Sequence, residues 1–240
     1  MLAVEGLSKR FGGFLAVNQV SFEVREGEIL GLIGPNGSGK STTFNLIAGT
    51  LRPSAGSIRF EGAEIANLAA HKVCRRGVGR TFQIPRPFRK LSLIENVALA
   101  AYYGGTRRVS RAEAWQHAQE ILDLVGLPSN SAATPQGLGT AALKKLELAR
   151  ALATRPRLLL ADESLGGLDS TEMERAAGLL QNIRSRMGIT IIWVEHIMGV
   201  LMRIVDRVIV LDHGEKIFDG LPAQAAVDPR VTEVYLGKKA

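Results

Sequence analysis

Residues 34–41 read Gly34-Pro35-Asn36-Gly37-Ser38-Gly39-Lys40-Ser41 and match the spacing G-x-x-x-x-G-K-[ST] at each fixed position. Glycines so spaced let the backbone curl until successive N–H groups point inward, and a helix starting at the loop adds its positive N-terminal end. That arrangement attracts phosphate. Lys40 has the reach to meet β- and γ-phosphates, and the Ser41 hydroxyl suits Mg2+. The flanks agree. Glu28-Ile29-Leu30-Gly31-Leu32-Ile33 has the apolar run of a buried strand, and residues 42–48 predict a helix with Thr42 at its start. Strand, loop, Lys-Ser and helix in that order imply a nucleoside triphosphate site.

A second group of reactive residues fits beside it. Leu158-Leu159-Leu160-Ala161-Asp162-Glu163 is an apolar strand ending in two acids. At the C-terminal edge of a parallel sheet such acids face the crevice where ligands bind. Asp162 there suits Mg2+, reached through water, and Glu163 suits the polarisation of an attacking water. His196 follows another apolar strand, Ile191-Ile192-Trp193-Val194-Glu195, which would end on the same sheet edge.

The elements needed to hold these groups can be read from pattern. Leu2-Ala3-Val4-Glu5, Val20-Ser21-Phe22-Glu23-Val24, Ile29 to Ile33 and Ser57-Ile58-Arg59-Phe60 read as strands separated by glycine-containing turns. From about Ser92 to Leu152 apolar residues recur at helical spacing, among them Trp115, Ala118, Ile121, Leu122 and Val125. After Arg157 strands and helices alternate, which implies a parallel sheet covered by helices. The helical middle then reads as an insertion into one α/β core. The 240 residues suit one domain with a sizeable subdomain.

Composition narrows the function classes. One cysteine, Cys74, leaves no intrachain disulfide and no Cys-rich metal cluster, as expected in a reducing compartment. The N-terminus lacks signal-peptide character, and no run approaches the roughly 18 apolar residues that cross a bilayer. The expected place is the cytosol, or the cytosolic side of a membrane. A formal charge of +7 invites a nucleic-acid reading, but the basic residues are dispersed and aromatics make up only 5%. Anionic lipid head groups, or water alone, account for the charge as well.

Taken in order, these parts resemble the nucleotide-binding subunits of ABC transporters over nearly the whole chain. The resemblance implies a P-loop NTPase fold of the RecA-like kind: a mostly parallel sheet core, antiparallel strands near the N-terminus and an inserted α-helical subdomain. It implies a catalytic core of residues 1–83 and 157–240 and a helical subdomain of 84–156. It also implies ATP and Mg2+ as ligands, with roles for individual residues. Phe11 stands where an aromatic stacks on adenine. Gln83, in Arg80-Thr81-Phe82-Gln83, stands where a glutamine contacts Mg2+ or water and senses the membrane partner. Asp162 and Glu163 match the metal and catalytic acids, Gly167-Leu168-Asp169 the D-loop, and His196 the switch histidine.

Four stretches are most similar to the branched-chain, or hydrophobic, amino acid uptake group: Lys9-Arg10-Phe11-Gly12-Gly13, Arg80-Thr81-Phe82-Gln83, Leu93-Ile94-Glu95-Asn96-Val97, and the tail from Asp228 to Gly237. Relatives in that group also carry urea, short amides or aromatic acids. The partners implied are permease chains docking near Gln83 and residues 85–88, a second cassette, and indirectly an extracytoplasmic binding protein.

The chain departs from the family at its signature. Where L-S-G-G-Q is usual it has Leu138-Gly139-Thr140-Ala141-Ala142. Backbone N–H groups and a helix N-terminus survive there, so Gly139, Thr140 and Ala141 still suit a phosphate from the opposing cassette. The serine hydroxyl is lost unless Thr140 replaces it, and Ala141 would resist a positive φ if one were required. Ser164 replaces the usual proline after the acidic pair. A heterodimer with a full-signature cassette is therefore expected over a homodimer, while a signature that works as it stands is the alternative. Two other readings remain open from sequence: a soluble ABC ATPase acting on nucleic acid or ribosomes, and a regulatory cassette with impaired hydrolysis.

Overall fold

The structure is a computed structural model of the chain that describes residues 1–162, 170–195 and 198–236. Glu163, Ser164, the Gly167-Leu168-Asp169 stretch and His196 fall outside the described residues. By internal contacts the chain divides into two compact units, Met1–Ala70 with Thr190–Ala240, and His71–Ile189.

The first unit begins with strands β1 (Leu2–Phe11) and β2 (Phe14–Val24), joined through Gly12-Gly13 so that Phe11 pairs with Phe14. With β4 (Ala55–Phe60) and the short β5 (Ala63–Glu64) they form an antiparallel sheet in the order β2-β1-β4-β5. Leu2 and Val4 of β1 lie inside at the two-residue spacing of a sheet with one buried face, and a register shift between Val4 and Leu7 brings Leu7 inside as well.

β3 (Ile29–Ile33) is different. All five of its residues are buried, and it lies parallel to both β8 (Thr190–Val194) and β9 (Arg207–Asp212). Such strands are covered on both faces, which is why they read as continuous apolar runs. β10 (Glu215–Gly220) pairs antiparallel with β9. The helices of this unit are α1 (Lys40–Ile47), α7 (Met198–Ile204), α8 (Pro222–Ala225) and α9 (Pro229–Leu236). Burying Phe44, Leu46 and Ile47 anchors α1 beneath the loop it follows, each side chain contributing about 1.5–3 kcal/mol.

The second unit holds α2 (Ala70–Arg75) from its second residue on, β6 (Val78–Arg80), α3 (Leu93–Gly104), α4 (Arg111–Val125), α5 (Thr140–Ala153), β7 (Leu158–Asp162) and α6 (Ser170–Met187). β6 and β7 pair in parallel, Val78 opposite Leu158 and Arg80 opposite Leu160. The starts of α3 and α4 are fixed by capping boxes, Ser92 with Glu95 and Ser110 with Glu113. In each, the serine hydroxyl accepts from the third helical N–H while the glutamate accepts from the serine N–H. α4 stops at Gly126, whose φ of 70° suits a residue without a Cβ. The mixed α/β fold, with parallel pairs and antiparallel N-terminal strands, agrees with the expectation from sequence. The strands β5, β6 and β10 and the helices α2, α8 and α9 are additions to it.

Candidate functional site

The phosphate loop owes its shape to contacts that exclude side chains. At Gly34 (φ 149°) a Cβ would lie 2.1 Å from the Leu211 carbonyl oxygen and 2.5 Å from Ser38 Oγ. At Gly39 (φ 103°) it would lie 2.7 Å from the Ala16 carbonyl oxygen. The end of β9 and the body of β2 thus press on the loop from behind, and only glycine admits them so close. The Gly214 N–H donates to the Ser38 carbonyl at 3.1 Å, tying the β9–β10 turn to the same loop.

Lys40 is nearly buried, and its Nζ donates to the Gly34 and Pro35 carbonyls, both at 2.8 Å. Its charge is therefore held inside the loop. α1 carries no side-chain cap and no acid in its first turn, so nothing of its own competes for an anion there. Thr43 donates its hydroxyl to the Gly39 carbonyl at 3.0 Å, fixing the loop-to-helix junction. Asn36, Gly37 and Ser41 are exposed and Thr42 is half-buried. The predicted phosphate residues 34–42 are brought together as one cationic cradle, open on the side of Asn36, Gly37 and Ser41.

Phe11 sits at the β1–β2 turn in the same unit, 45% exposed, with the Lys9 ammonium 5.1 Å from its ring centroid. An exposed ring there can offer a stacking surface to a base. The sequence assigned no role to the C-terminal helix, yet α9 comes close to the loop. Arg230, Glu233 and Val234 share a cavity of about 580 Å3 with Pro35, Asn36, Gly37 and Ser38. Burial pushes the Tyr235 phenol up to about 12, against a smaller opposing influence of the Gly34 backbone.

In the second unit Asp162 ends β7 and is buried. Its N–H donates to Thr81 Oγ1 at 3.0 Å, and the Thr81 N–H donates to the Leu160 carbonyl at 3.0 Å. Arg80 donates from Nη2 to Asp162 Oδ2 at 3.0 Å, with both side chains about nine-tenths buried. No role for Arg80 is legible in the sequence, because its partner lies in a strand far along the chain.

Gln83 follows in an exposed segment that also presents Phe82, Ile84 and Phe88 to solvent. That segment is pinned from below. The buried Asn96 side chain accepts from the Phe88 N–H at 2.8 Å and donates to the Phe88, Leu91 and Ser92 carbonyls. Arg150 donates to the Arg86 carbonyl and to Glu147, and its guanidinium lies 5.2 Å from the Phe88 ring centroid. Burial raises the Glu147 carboxyl, which Arg150 only partly offsets.

The signature region opens α5. Gly139 is the N-cap residue at φ −68°, ψ 168°, with no side-chain cap, and a Cβ there would meet nothing within 4 Å. Thr140 and Ala141 are the first two helical residues, so Ala141 is not asked for a positive φ. The first-turn N–H groups of α5 stay uncapped, as an anion contact from outside would require.

A hard cation takes oxygen donors, and side chains of that kind stand at Ser41 in the first unit and at Asp162 and Gln83 in the second. The exposed Ser41 hydroxyl and the side-chain oxygens of Asp162 are each donors of a kind that fits such a role. Among the described residues no three His, Cys, Asp or Glu side chains gather into a separate metal centre.

Residues 17–166 match the ABC transporter family. The chain is 37% identical to the high-affinity branched-chain amino acid transport ATP-binding protein BraF of Pseudomonas aeruginosa, over 99% of this chain and 98% of that one. It is 35% identical to the corresponding protein LivG of Escherichia coli, with the same coverage. Among solved structures, a nucleotide-free ATP-binding cassette from an ABC transporter superposes with a TM-score of 0.88 at 28% identity, over 99% of both chains. An ABC transporter cassette in its ADP conformation gives 0.87 at 28% identity, again over 99% of both. A glycine-cradled lysine at the head of a helix, a buried acid at a strand end and this full-length likeness agree: the chain belongs to the ABC transporter family and is one of its ATP-hydrolysing cassettes.

Proposed function

We propose that this cassette powers uptake of branched-chain or related amino acids, or small amides, through separate permease chains. The observation that carries the ATP chemistry is Lys40, held inside a loop that only glycine can form and open toward Asn36, Gly37 and Ser41. The cargo class rests on full-length likeness to transport proteins for branched-chain amino acids. In this reading residues 1–83 and 157–240 form the catalytic core and 84–156 the helical subdomain. The two compact units cut across that division, because packing density and chemical role need not share a boundary.

ATP enters with its adenine against Phe11 and its phosphates on the N–H groups of residues 37–42. Lys40 neutralises the β- and γ-phosphates, and Ser41, Gln83 and Asp162 would hold Mg2+, which when bound would withdraw charge from the phosphate oxygens. Glu163 polarises the attacking water, and His196 steadies the γ-phosphate as charge spreads in the transition state. Gly139, Thr140 and Ala141 donate backbone N–H groups to the γ-phosphate held by a second cassette. ATP therefore favours a closed pair, and product release reopens it. The pair is a heterodimer with a full-signature partner. Permease segments dock on the exposed Phe82, Gln83 and 85–88 stretch, which places the subunit on the cytoplasmic face of the membrane. None of the helices among the described residues is long and apolar enough to cross it.

Mass spectrometry of what copurifies with the chain from gently solubilised native membranes tests this. Two permease chains and a second cassette are expected. Recovery of the chain alone, or with nucleic acid, overturns the importer reading.

A further inference from the structure

The buried pair Arg80–Asp162 has a consequence beyond holding two strands together. Arg80 closes β6, Asp162 closes β7, and the guanidinium bonds Oδ2 of the carboxylate at 3.0 Å. The same guanidinium lies 5.1 Å from the centroid of the Phe82 ring. Phe82 is 44% exposed and adjoins Gln83, at the head of the segment proposed as the permease dock. One cation thus touches the acid assigned to the metal on one side and the surface assigned to the partner on the other.

We propose that Arg80 is a positioning residue that competes with the metal ion for Asp162 and so links metal–nucleotide binding to the conformation of the Phe82–Gln83 segment. The inference rests on the reading of Asp162 as the metal-side carboxylate. A divalent ion approaching a carboxylate that already carries a guanidinium meets a full positive charge within a few ångströms. Either Arg80 yields toward the ring of Phe82, or the metal binds against repulsion; both weaken metal binding. Arg80 also aims Asp162, but loss of one orienting hydrogen bond is the smaller effect where burial lowers the effective dielectric. Removing the guanidinium therefore tightens the metal. The coupling is reciprocal. A partner that draws Phe82 and Arg80 away from Asp162 raises affinity for the metal–nucleotide complex, and that complex biases Phe82 toward its displaced position.

The test titrates Mn2+ into the full-length protein with ADP and follows bound metal by electron paramagnetic resonance, with ADP affinity in EDTA as the metal-free reference. Arg80→Met is expected to bind Mn2+ about tenfold more tightly with metal-free ADP affinity unchanged, and Arg80→Lys to stay near the wild type. A merely structural arginine would give the opposite sign. Unchanged or weaker Mn2+ binding in Arg80→Met, with Asp162→Asn weakened, overturns the role of Arg80 and leaves the Asp162 reading standing. Unchanged Mn2+ binding in Asp162→Asn overturns both. Should Arg80→Met fail to fold, Arg80→Gln carries the same expectation and the same refutation.

Discussion

The phosphate loop and the signature segment both place backbone N–H groups at the head of a helix, but they tolerate change very differently. In the loop, Gly34, Gly37 and Gly39 all have positive φ, and at two of them a Cβ would strike a backbone carbonyl. At Gly139 the backbone is extended, space is open, and Ala141 is an ordinary helical residue. The loop's sequence is therefore set by its own fold. The signature's departures cost this chain's fold little, and their effect falls on the phosphate of a neighbouring cassette.

The largest test of that contrast is Gly34→Ala. Its Cβ would sit 2.1 Å from the Leu211 carbonyl, which belongs to a buried strand that cannot retreat. A loss of about 3–5 kcal/mol in unfolding free energy is expected by denaturant titration, with nucleotide binding abolished. A mild effect would show that the loop is not clamped as described.

Lys40→Ala removes charge without touching the glycines. Nucleotide affinity should fall on the order of 100-fold, read by calorimetry, with a smaller change in stability. An unchanged affinity would remove Lys40 from the phosphate site.

On the signature side, Gly139→Ser with Ala141→Gly should shift stability by less than about 1 kcal/mol, since a cap gained offsets a helical alanine lost. Hydrolysis by the assembled pair should rise about tenfold, the worth of one hydrogen bond to a charged phosphate. Unaltered turnover would mean that Leu138-Gly139-Thr140-Ala141-Ala142 works as it stands.

The smallest expected effect separates fold from chemistry in the second unit. Burial, and then Arg155, hold the His117 imidazole below its ordinary 6.5. Between that lowered value and 6.5 the unfolded chain binds the proton more readily. Stability is thus full above about pH 6.5 and declines as pH falls through that window, by less than about 1 kcal/mol. Melting curves from pH 7 to 5 should show the decline, and His117→Gln should flatten it.

Strong local patterns are legible in the sequence itself. The strand at Ile29 to Ile33 appears with those bounds because five consecutive residues are buried on both faces. The helical pattern expected from about Ser92 begins there as α3 with Ser92 as its cap, and Gly105-Thr106 follow its last residue, Gly104. By contrast β6 is Val78-Gly79-Arg80, three residues with no apolar period, and it is a strand only because β7 pairs with it. β1 extends past Glu5 to Phe11 for the same reason, its outer half completed by β2.

By itself the sequence determined the phosphate loop, the family and the order of the functional parts. Each depends on residue types at fixed short spacings, which local backbone chemistry can translate directly. Only the tertiary structure decided that Leu211 and Ala16 enforce the loop glycines, that α9 stands beside Pro35 to Ser38, and that Arg80 holds Asp162. Those partners are separated by tens to hundreds of residues. No periodicity links them, and only the folding of the chain brings them together.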